Sequence, residues 1–274
     1  MINFNPTTLS ISCVVYDTAY DVLAITIQSL HQALLFAEKQ NVLKQYRVYL
    51  INNQSNPSVI FNQVVILARD LMHTHIEVLT GHGNIGYGRA NNLAIDKTDA
   101  EFHLVLNPDV NIDQKAIAEG IGFLQHNMSV GLAAPSAYNL NGEYEYLAKR
   151  TPSPLVILLR GLNIPLLNNY FEKKLNHYIY KDKLPAVVPM PIELASGCFM
   201  LCRADVLKEV GGFSKEYFLY FEDFDLSRKI SKTHQLIILP QMKIIHSGGN
   251  ASRKSKKHIL FFLRSALRFM LKKH

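Results

Sequence analysis

The residues FHLVLNPDV at positions 102–110 form a short apolar run that ends in polar side chains, and this unit recurs along the first half of the chain. The other runs are LSISCVVY (9–16), YRVYLI (46–51) and HIEVL (75–79), and segments with helical periodicity lie between them at 22–39, 59–72 and 85–95. This alternation is typical of a mostly parallel sheet covered by helices on both faces. The sequence therefore predicts a Rossmann-like α/β fold.

Polar side chains follow three of these predicted strands. Asp17 follows the first run, Asn52 and Asn53 follow the second, and Asn107 and Asp109 follow the fourth. Each residue alone is also a common turn former. The ligands of an open parallel sheet bind at the carboxyl ends of its strands, so the joint placement favours a binding site at one edge.

Composition favours one large globular α/β unit or two small ones, since the chain has 274 residues and is 48% hydrophobic. The three cysteines, Cys13, Cys198 and Cys202, match no zinc-site spacing and are interpreted as small buried apolar residues. The N-terminus lacks a basic segment followed by a long apolar one. We therefore expect neither a signal peptide nor an N-terminal anchor, and a cytoplasmic protein.

The positive charge of the chain is concentrated at its C-terminus. The net charge is +7 and the pI about 9.2, yet eight basic and no acidic side chains lie in residues 253–274, which leaves about −1 for the rest. The basic residues are Arg253, Lys254, Lys256, Lys257, Arg264, Arg268, Lys272 and Lys273. With the apolar residues between them, they predict an amphipathic helix on an anionic membrane surface.

Two alternatives to membrane docking of this tail stay open. The first is a helix that packs on the core and leaves one face in water. The second is a nucleic-acid-binding module, which the basic pI would suit, although the charge is confined to one helix and the remaining sequence carries no nucleic-acid-binding motif. We expect no nucleic-acid partner.

The motif NPD at 107–109 places an amide and a carboxylate on one face of an extended segment. Oxygen ligands of this kind suit a hard divalent cation, although the spacing alone favours a proline turn. His246 ends the run MKIIH, and an imidazole there is either a metal ligand or a core side chain. Each motif is therefore, on its own, a candidate source of a metal ligand.

The segment GHGNIGYGRANN at 81–92 precedes a predicted helix and is rich in glycine. Glycines let a backbone approach a ligand closely, and a helix N-terminus with a nearby guanidinium suits a phosphate. Asn84, Gly86 and Arg89 are therefore candidate phosphate-binding residues. The segment matches neither the Walker A loop nor the dinucleotide fingerprint.

The segment YFEDFDL at 220–226 sets Glu222, Asp223 and Asp225 at the start of a predicted helix. For Asp225 we expect helix capping or a salt bridge. Glu222 and Asp223 lie among aromatic residues that would desolvate a carboxylate and so raise its basicity, as a general base requires. Upstream, the apolar patch at 154–167 is interpreted either as a lid or acceptor-facing helix or as a core helix.

In order, GHGNIGYGRANNLAI, LVLNPDV, ELASGCFMLCRADVLKEVGGF, YFLYFEDFDLSRKI and IIHSGG resemble the successive signatures of family-2 glycosyltransferases. The likeness is to the rhamnosyltransferase-like branch that builds bacterial O-antigen and other surface polysaccharides. It covers about residues 10–252 and implies a GT-A domain at 1–252, with a nucleotide-sugar half (1–112) and an acceptor half (113–252). The basic tail at 253–274 follows this domain.

The resemblance also implies roles for the polar residues at the sheet edge. Asp17 and Asn52 would face the nucleotide base, Asn107 and Asp109 would be the counterpart of the Asp-x-Asp metal motif, and His246 would complete the metal site. The family usually has Asp where this chain has Asn52, although the Asn carbonyl could still accept a hydrogen bond from a pyrimidine N–H. The implied cofactor is Mg²⁺ or Mn²⁺.

The implied reaction is an inverting hexosyl transfer in which Asp223 is the base and Glu222 lies beside it. The resemblance of the NPD and YFEDFDL motifs to the rhamnosyltransferase-like branch favours dTDP-L-rhamnose as the sugar donor. A UDP-hexose or UDP-N-acetylhexosamine is the alternative donor. The acceptor would be a polyprenyl-diphosphate-linked saccharide, reached by peripheral association with the inner face of the cytoplasmic membrane. The sequence leaves open whether the chain forms a homodimer.

Overall fold

The computed structural model describes residues 6–55, 58–162, 164–248 and 256–272. Its strands are β1 (Thr7–Val15), β2 (Leu43–Asn52), β3 (Ile76–Leu79), β4 (Phe102–Leu106), β5 (Val110–Ile112), β6 (Val130–Tyr138), β7 (Tyr144–Glu145), β8 (Met190–Ile192), β9 (Phe199–Arg203) and β10 (Gln235–His246). Its α-helices are α1 (Tyr20–Lys39), α2 (Val59–Met72), α3 (Tyr87–Ile95), α4 (Ala116–His126), α5 (Pro154–Leu162), α6 (Pro165–Tyr170), α7 (Glu172–Tyr178), α8 (Ala204–Glu209), α9 (Glu222–Ile230) and α10 (Lys256–Leu271).

These strands form one sheet in the order β3-β2-β1-β4-β9-β6-β10-β5, with β7 paired to β6 and β8 to β10. The half formed by β3, β2, β1 and β4 is parallel, as the sequence predicts. β9 runs antiparallel between β4 and β6, and β10 is parallel to β6 but antiparallel to β5 and β8. The predicted α/β fold is confirmed, with a C-terminal half that is mixed.

The N-terminal helices form where their apolar side chains fall on one face. Helix α1 buries Leu23, Ile27, Leu30 and Leu34, which recur at intervals of three and four residues. Helix α2 begins at Ser58, whose hydroxyl accepts a hydrogen bond from the Phe61 N–H at 3.1 Å. These elements hold the carboxyl ends of β1, β2 and β4 at one edge of the sheet.

Helix α10 packs one face against the body of the protein. Ala266 and Phe269 are buried, and the Phe269 ring lies 5.2 Å from that of Phe221. Lys272 forms an ion pair with the buried Asp225 at 2.9 Å, so the predicted salt bridge is confirmed. Arg253, Lys254 and Lys273 lie outside the described residues.

The other face of α10 leaves apolar side chains in water. These are Ile259, Leu260, Leu263, Leu267, Met270 and Leu271. The amphipathic helix is confirmed, and it combines the core packing of one interpretation with an apolar outer face. Within the described ranges, every helix is too short or too polar to cross a bilayer.

Helix α5 is a packed element with an exposed edge. It buries Val156, Ile157 and Leu159 and lies against α10, where a side chain at Gly161 would meet the Phe262 ring at 3.4 Å. Leu158 and Arg160 are exposed, and Arg160 also lines a pocket at the start of α9. The cysteines are free and buried, as predicted.

Candidate active site

A cleft of about 610 Å³ opens at the edge where the parallel strands end. Its lining includes Asp17, Asn53 and Asn84 from the N-terminal half and Asn107 and Asp109 after β4. The segment before α9 closes the opposite side through Phe218 and Leu219. The polar residues after β1, β2 and β4 thus meet in one place, as the strand pattern predicts.

A network of amide hydrogen bonds fixes the glycine-rich loop against this cleft. The Asn84 Oδ1 atom accepts from the Asn53 Nδ2 at 3.2 Å and from the Gly86 N–H at 3.1 Å. The Asn53 Oδ1 atom accepts from the Ile85 N–H at 3.1 Å. Gly86 has a φ of +87°, and a Cβ there would lie 2.3 Å from the Phe218 carbonyl oxygen. Only glycine fits this close approach of the loop to the segment before α9.

Three side chains from distant parts of the chain form a polar cluster beside the cleft. The His246 Nε2 atom lies 3.6 Å from the Asp109 Oδ1, and its Nδ1 atom lies 2.9 Å from the Glu145 Oε2. Gly248 passes so close that a Cβ would lie 2.1 Å from the Asp109 Oδ2 and 2.8 Å from the His246 Nε2. The chain after β10 therefore holds the Asp109 and His246 side chains together.

Asp109 and His246 are the two side chains of this cluster that could act as ligands of a divalent cation. The Asp109 Oδ1 atom is buried and has no hydrogen-bond partner among the described residues. This oxygen is therefore available as a ligand beside the imidazole of His246. Glu145 engages the other imidazole nitrogen, the arrangement that orients metal-binding histidines. The described residues hold no cluster of three or more His, Cys, Asp or Glu side chains suited to a metal. A cation here would have few protein ligands and open positions for phosphate oxygens.

Asp223 lies at the start of α9, at a second pocket that shares Leu219 with the cleft. Its Oδ2 atom accepts from the Gly197 N–H and its Oδ1 atom from the Phe224 N–H, both at 2.9 Å. The chain enters the helix through the left-handed residues Tyr220 and Phe221, with φ values of 69° and 66°. This strained turn and the two hydrogen bonds fix the carboxylate.

Burial changes the proton affinity of both acids at this turn. It raises the pKa of Glu222 to about 8, and the negative charge of Asp223 adds to the effect. Burial also raises the pKa of Asp223, against the opposing hydrogen bonds from Gly197 and Phe224 and the charge of Lys149. Two adjacent carboxyl groups with raised pKa values favour a shared proton, and the ionised partner is a stronger base than an exposed carboxylate.

Glu222→Gln should make the protein more resistant to unfolding in alkali. The folded pKa of Glu222, about 8, lies above the ordinary value of 4.5. Its contribution to stability is therefore complete below about pH 4.5 and is lost as the pH rises through 8. The neutral amide removes this loss, so we expect urea unfolding to show a larger gain for the variant at pH 8.5 than at pH 5. The exposed Glu119→Gln is the matched control, and equal gains at both pH values would contradict the assignment.

Proteins of known function resemble the chain in sequence. It is 24% identical over 215 residues to the N-acetylglucosaminyl-diphospho-decaprenol L-rhamnosyltransferase of Mycobacterium tuberculosis, covering 74% of this chain and 69% of that protein. It is 25% identical over 207 residues to rhamnosyltransferase WbbL of Escherichia coli K12, covering 70% and 72%. No family model matches the chain. The resemblance to rhamnosyltransferases that the motifs indicate is confirmed.

A solved structure resembles the chain in fold. GalNAc-T7 with UDP, GalNAc and Mn²⁺ superposes with a TM-score of 0.65 at 13% identity, over 96% of this chain. The fold is the GT-A fold of glycosyltransferases. The chain spans about half of the length of GalNAc-T7, 48%.

Two predicted donor-binding residues of the GT-A domain lie elsewhere than expected. Asn52 is fully buried at the end of β2, where its Oδ1 atom accepts from the Gln54 N–H at 3.2 Å, and Asn53 lines the cleft instead. Arg89 is directed away from the cleft, because its guanidinium donates hydrogen bonds to the Lys215 carbonyl oxygen. Neither side chain lines the cleft, and their donor-binding roles stay predictions.

Other predicted residues of the GT-A domain do face the cleft. These are Asp17, Asn84, Gly86, Asn107 and Asp109, and their roles stay predictions. Sequence reasoning missed Glu145, because β7 is two residues long and reaches His246 only through its pairing with β6. Asn53 was predicted to lie at this edge with Asn52, but sequence reasoning gave the donor-binding role to Asn52 alone.

Proposed function

We propose that the chain is an inverting glycosyltransferase that moves L-rhamnose from dTDP-L-rhamnose onto a lipid-linked saccharide. The observation that carries the proposal is the juxtaposition of two sites. The pair Asp109 and His246 borders the cleft, and the buried Asp223 borders the adjoining pocket. The names of the M. tuberculosis and E. coli relatives support rhamnose as the sugar.

In the proposed reaction the Asp223 carboxylate removes the proton of an acceptor hydroxyl. The hydroxyl oxygen forms a bond to the anomeric carbon of the donor sugar, and the bond from that carbon to the diphosphate oxygen breaks. The nucleoside diphosphate leaves with the electron pair on the opposite face, so the configuration inverts. The hydrogen bonds from Gly197 and Phe224 hold the carboxylate for this step.

Asp109 and His246 would hold Mg²⁺ or Mn²⁺, which supplies positive charge beside the departing diphosphate. Asn107 lines the same cleft and is a further candidate oxygen ligand. Asn53 and Asn84 offer amide groups at the base-binding side, in the place first assigned to Asn52. A UDP-hexose or UDP-N-acetylhexosamine is the alternative donor for the same residues.

Donor binding and hydrolysis test this proposal. We would measure both with dTDP-rhamnose, UDP-glucose, UDP-galactose and UDP-N-acetylglucosamine, with and without Mg²⁺ or Mn²⁺. Metal-dependent selectivity for dTDP-rhamnose is the expected result. Selectivity for a UDP-sugar would replace the donor and keep the residue roles, and the absence of any nucleotide binding would overturn the function.

We propose further that α10 rests on the inner face of the cytoplasmic membrane, where a lipid-linked acceptor would lie. Its exposed apolar residues, Leu260 and Leu267 among them, and its basic side chains support this. We expect Leu260→Glu with Leu267→Glu to reduce co-sedimentation with vesicles containing anionic lipid by about tenfold or more, because two apolar contacts become charges that anionic lipid repels.

The control for this experiment makes the same change on exposed apolar residues elsewhere, Val59→Glu with Met128→Glu. Both pairs add equal negative charge, so an effect of net charge alone would lower binding equally. Equal loss in the two double variants would contradict docking through α10.

A further inference from the structure

A second pocket of about 260 Å³ adjoins the proposed base and has a function still unassigned. Its lining includes Lys149, Arg160 and Tyr178 as well as Glu222 and Asp223. Arg160 comes from α5 and Phe262, on another wall, from α10. The pocket therefore holds two cations beside the acidic pair and opens between the two helices.

These two cations have no ion-pair or hydrogen-bond partner for their side chains within the described ranges. The Lys149 Nζ and the Arg160 guanidinium both lie over the ring of Tyr178, at 6.0 Å and 5.5 Å from its centroid. Burial and, to a smaller extent, the charge of Arg160 lower the pKa of Lys149 to about 7, and the charge of Asp223 opposes this shift. Two basic side chains that share one pocket, with neither engaged in an ion pair or hydrogen bond within the described ranges, suit the binding of an anion, which would also favour the charged form of Lys149.

We propose that Lys149 and Arg160 bind the diphosphate of the lipid-linked acceptor. The inference rests on the proposed function, since it assigns the acceptor side of that site. Arg160 offers a planar fork for phosphate oxygens and Lys149 a compact charge. With the diphosphate held here, the first sugar of the acceptor would lie beside Asp223, which shares the pocket.

The surroundings of the pocket suit a lipid chain. Helices α5 and α10 border it, and their outer faces expose Leu158 at 52%, Leu260 at 66% and Leu263 at 47%. A prenyl chain leaving the pocket between these helices would meet apolar side chains and then the membrane. A diphosphate on a lipid therefore fits better than free pyrophosphate.

Binding of a short prenyl diphosphate tests the inference. We would titrate farnesyl diphosphate, farnesol and inorganic pyrophosphate into the full chain, with dTDP and Mn²⁺ saturating the donor cleft. Lys149→Gln with Arg160→Gln should weaken farnesyl diphosphate binding by about a hundredfold, the effect of losing two charge-assisted contacts, and leave farnesol unchanged. Arg160→Gln alone, at an exposed residue, should weaken it about tenfold without disturbing the fold.

The control removes two exposed charges nearby, Lys173→Gln with Lys181→Gln, and should bind as the wild type does. Equal affinity of wild type and Arg160→Gln would overturn the inference, and so would equal losses for farnesol. If inorganic pyrophosphate bound as tightly as farnesyl diphosphate, the assignment of the subsite to a lipid-linked diphosphate would be wrong. If the wild type binds farnesyl diphosphate through Lys149 and Arg160 but binds no nucleotide sugar, the proposed function is refuted and the diphosphate subsite is kept. If it binds a nucleotide sugar but does not bind farnesyl diphosphate through these residues, only the subsite is refuted.

Discussion

Asp223→Asn should lower turnover by about a hundredfold or more, the scale expected when a general base is lost. The amide has the same shape and can still accept the Gly197 hydrogen bond, yet it cannot take the proton of the acceptor hydroxyl. Donor affinity should stay unchanged, because the proposed nucleotide site is the adjoining cleft. Turnover and the donor Kd, measured on the same preparation, check both parts.

Glu222→Gln is the matched comparison, because it changes the neighbouring carboxyl group in the same way. We expect a smaller loss of turnover for it, since Glu222 lies beside the proposed base, and burial and the charge of Asp223 raise its pKa to about 8, which keeps it largely protonated at neutral pH. If Asp223→Asn kept full turnover, or if Glu222→Gln alone abolished it, Asp223 would not be the base.

Asp109→Asn should remove the dependence of the reaction on the divalent cation and lower transfer by about a hundredfold or more, because a metal contributes several kcal/mol of charge stabilisation. The substitution replaces the carboxylate, whose Oδ1 atom has no hydrogen-bond partner among the described residues, by a neutral amide of equal size. Mn²⁺ binding, measured by titration in the presence of the nucleoside diphosphate, should weaken in parallel.

Asp113→Asn is the control for this prediction, because it makes the same change on an exposed carboxylate after β5. Gly248→Ala should reproduce much of the Asp109→Asn effect without altering a ligand, since its Cβ would force Asp109 and His246 apart. Undiminished stimulation of Asp109→Asn by Mn²⁺ would exclude the site.

The parallel half of the fold was predictable because each strand there is an apolar run flanked by a long amphipathic helix. The C-terminal half was less so, since β5, β7 and β8 have two or three residues each and form only against strands already in place. Pairing of β6 with β9, across more than sixty residues of intervening chain, has no local signal. Short strands depend on tertiary contacts rather than on their own composition.

The candidate site divides in the same way. Asp109 and Asp223 follow recognisable motifs, whereas Glu145 and Lys149 reach their places through long-range packing. Asn53, rather than the predicted Asn52, lines the cleft because of strand geometry. Consecutive residues of an extended segment point to opposite faces, so a shift of one residue decides which side chain faces the cleft. Arg89 donates a hydrogen bond to the carbonyl oxygen of Lys215, more than a hundred residues away in sequence, and local sequence does not indicate such a long-range contact.

The most direct test of the central claim is the product of a transfer reaction. The purified chain would be incubated with dTDP-L-rhamnose, Mn²⁺ and an N-acetylglucosaminyl diphosphate carrying a short prenyl chain, the acceptor type in the name of the M. tuberculosis relative. We predict a product heavier by one deoxyhexose, with the anomeric configuration inverted relative to the donor. A product that retains the donor configuration would contradict the single displacement at Asp223, and no sugar transfer from any nucleotide donor would contradict the function itself.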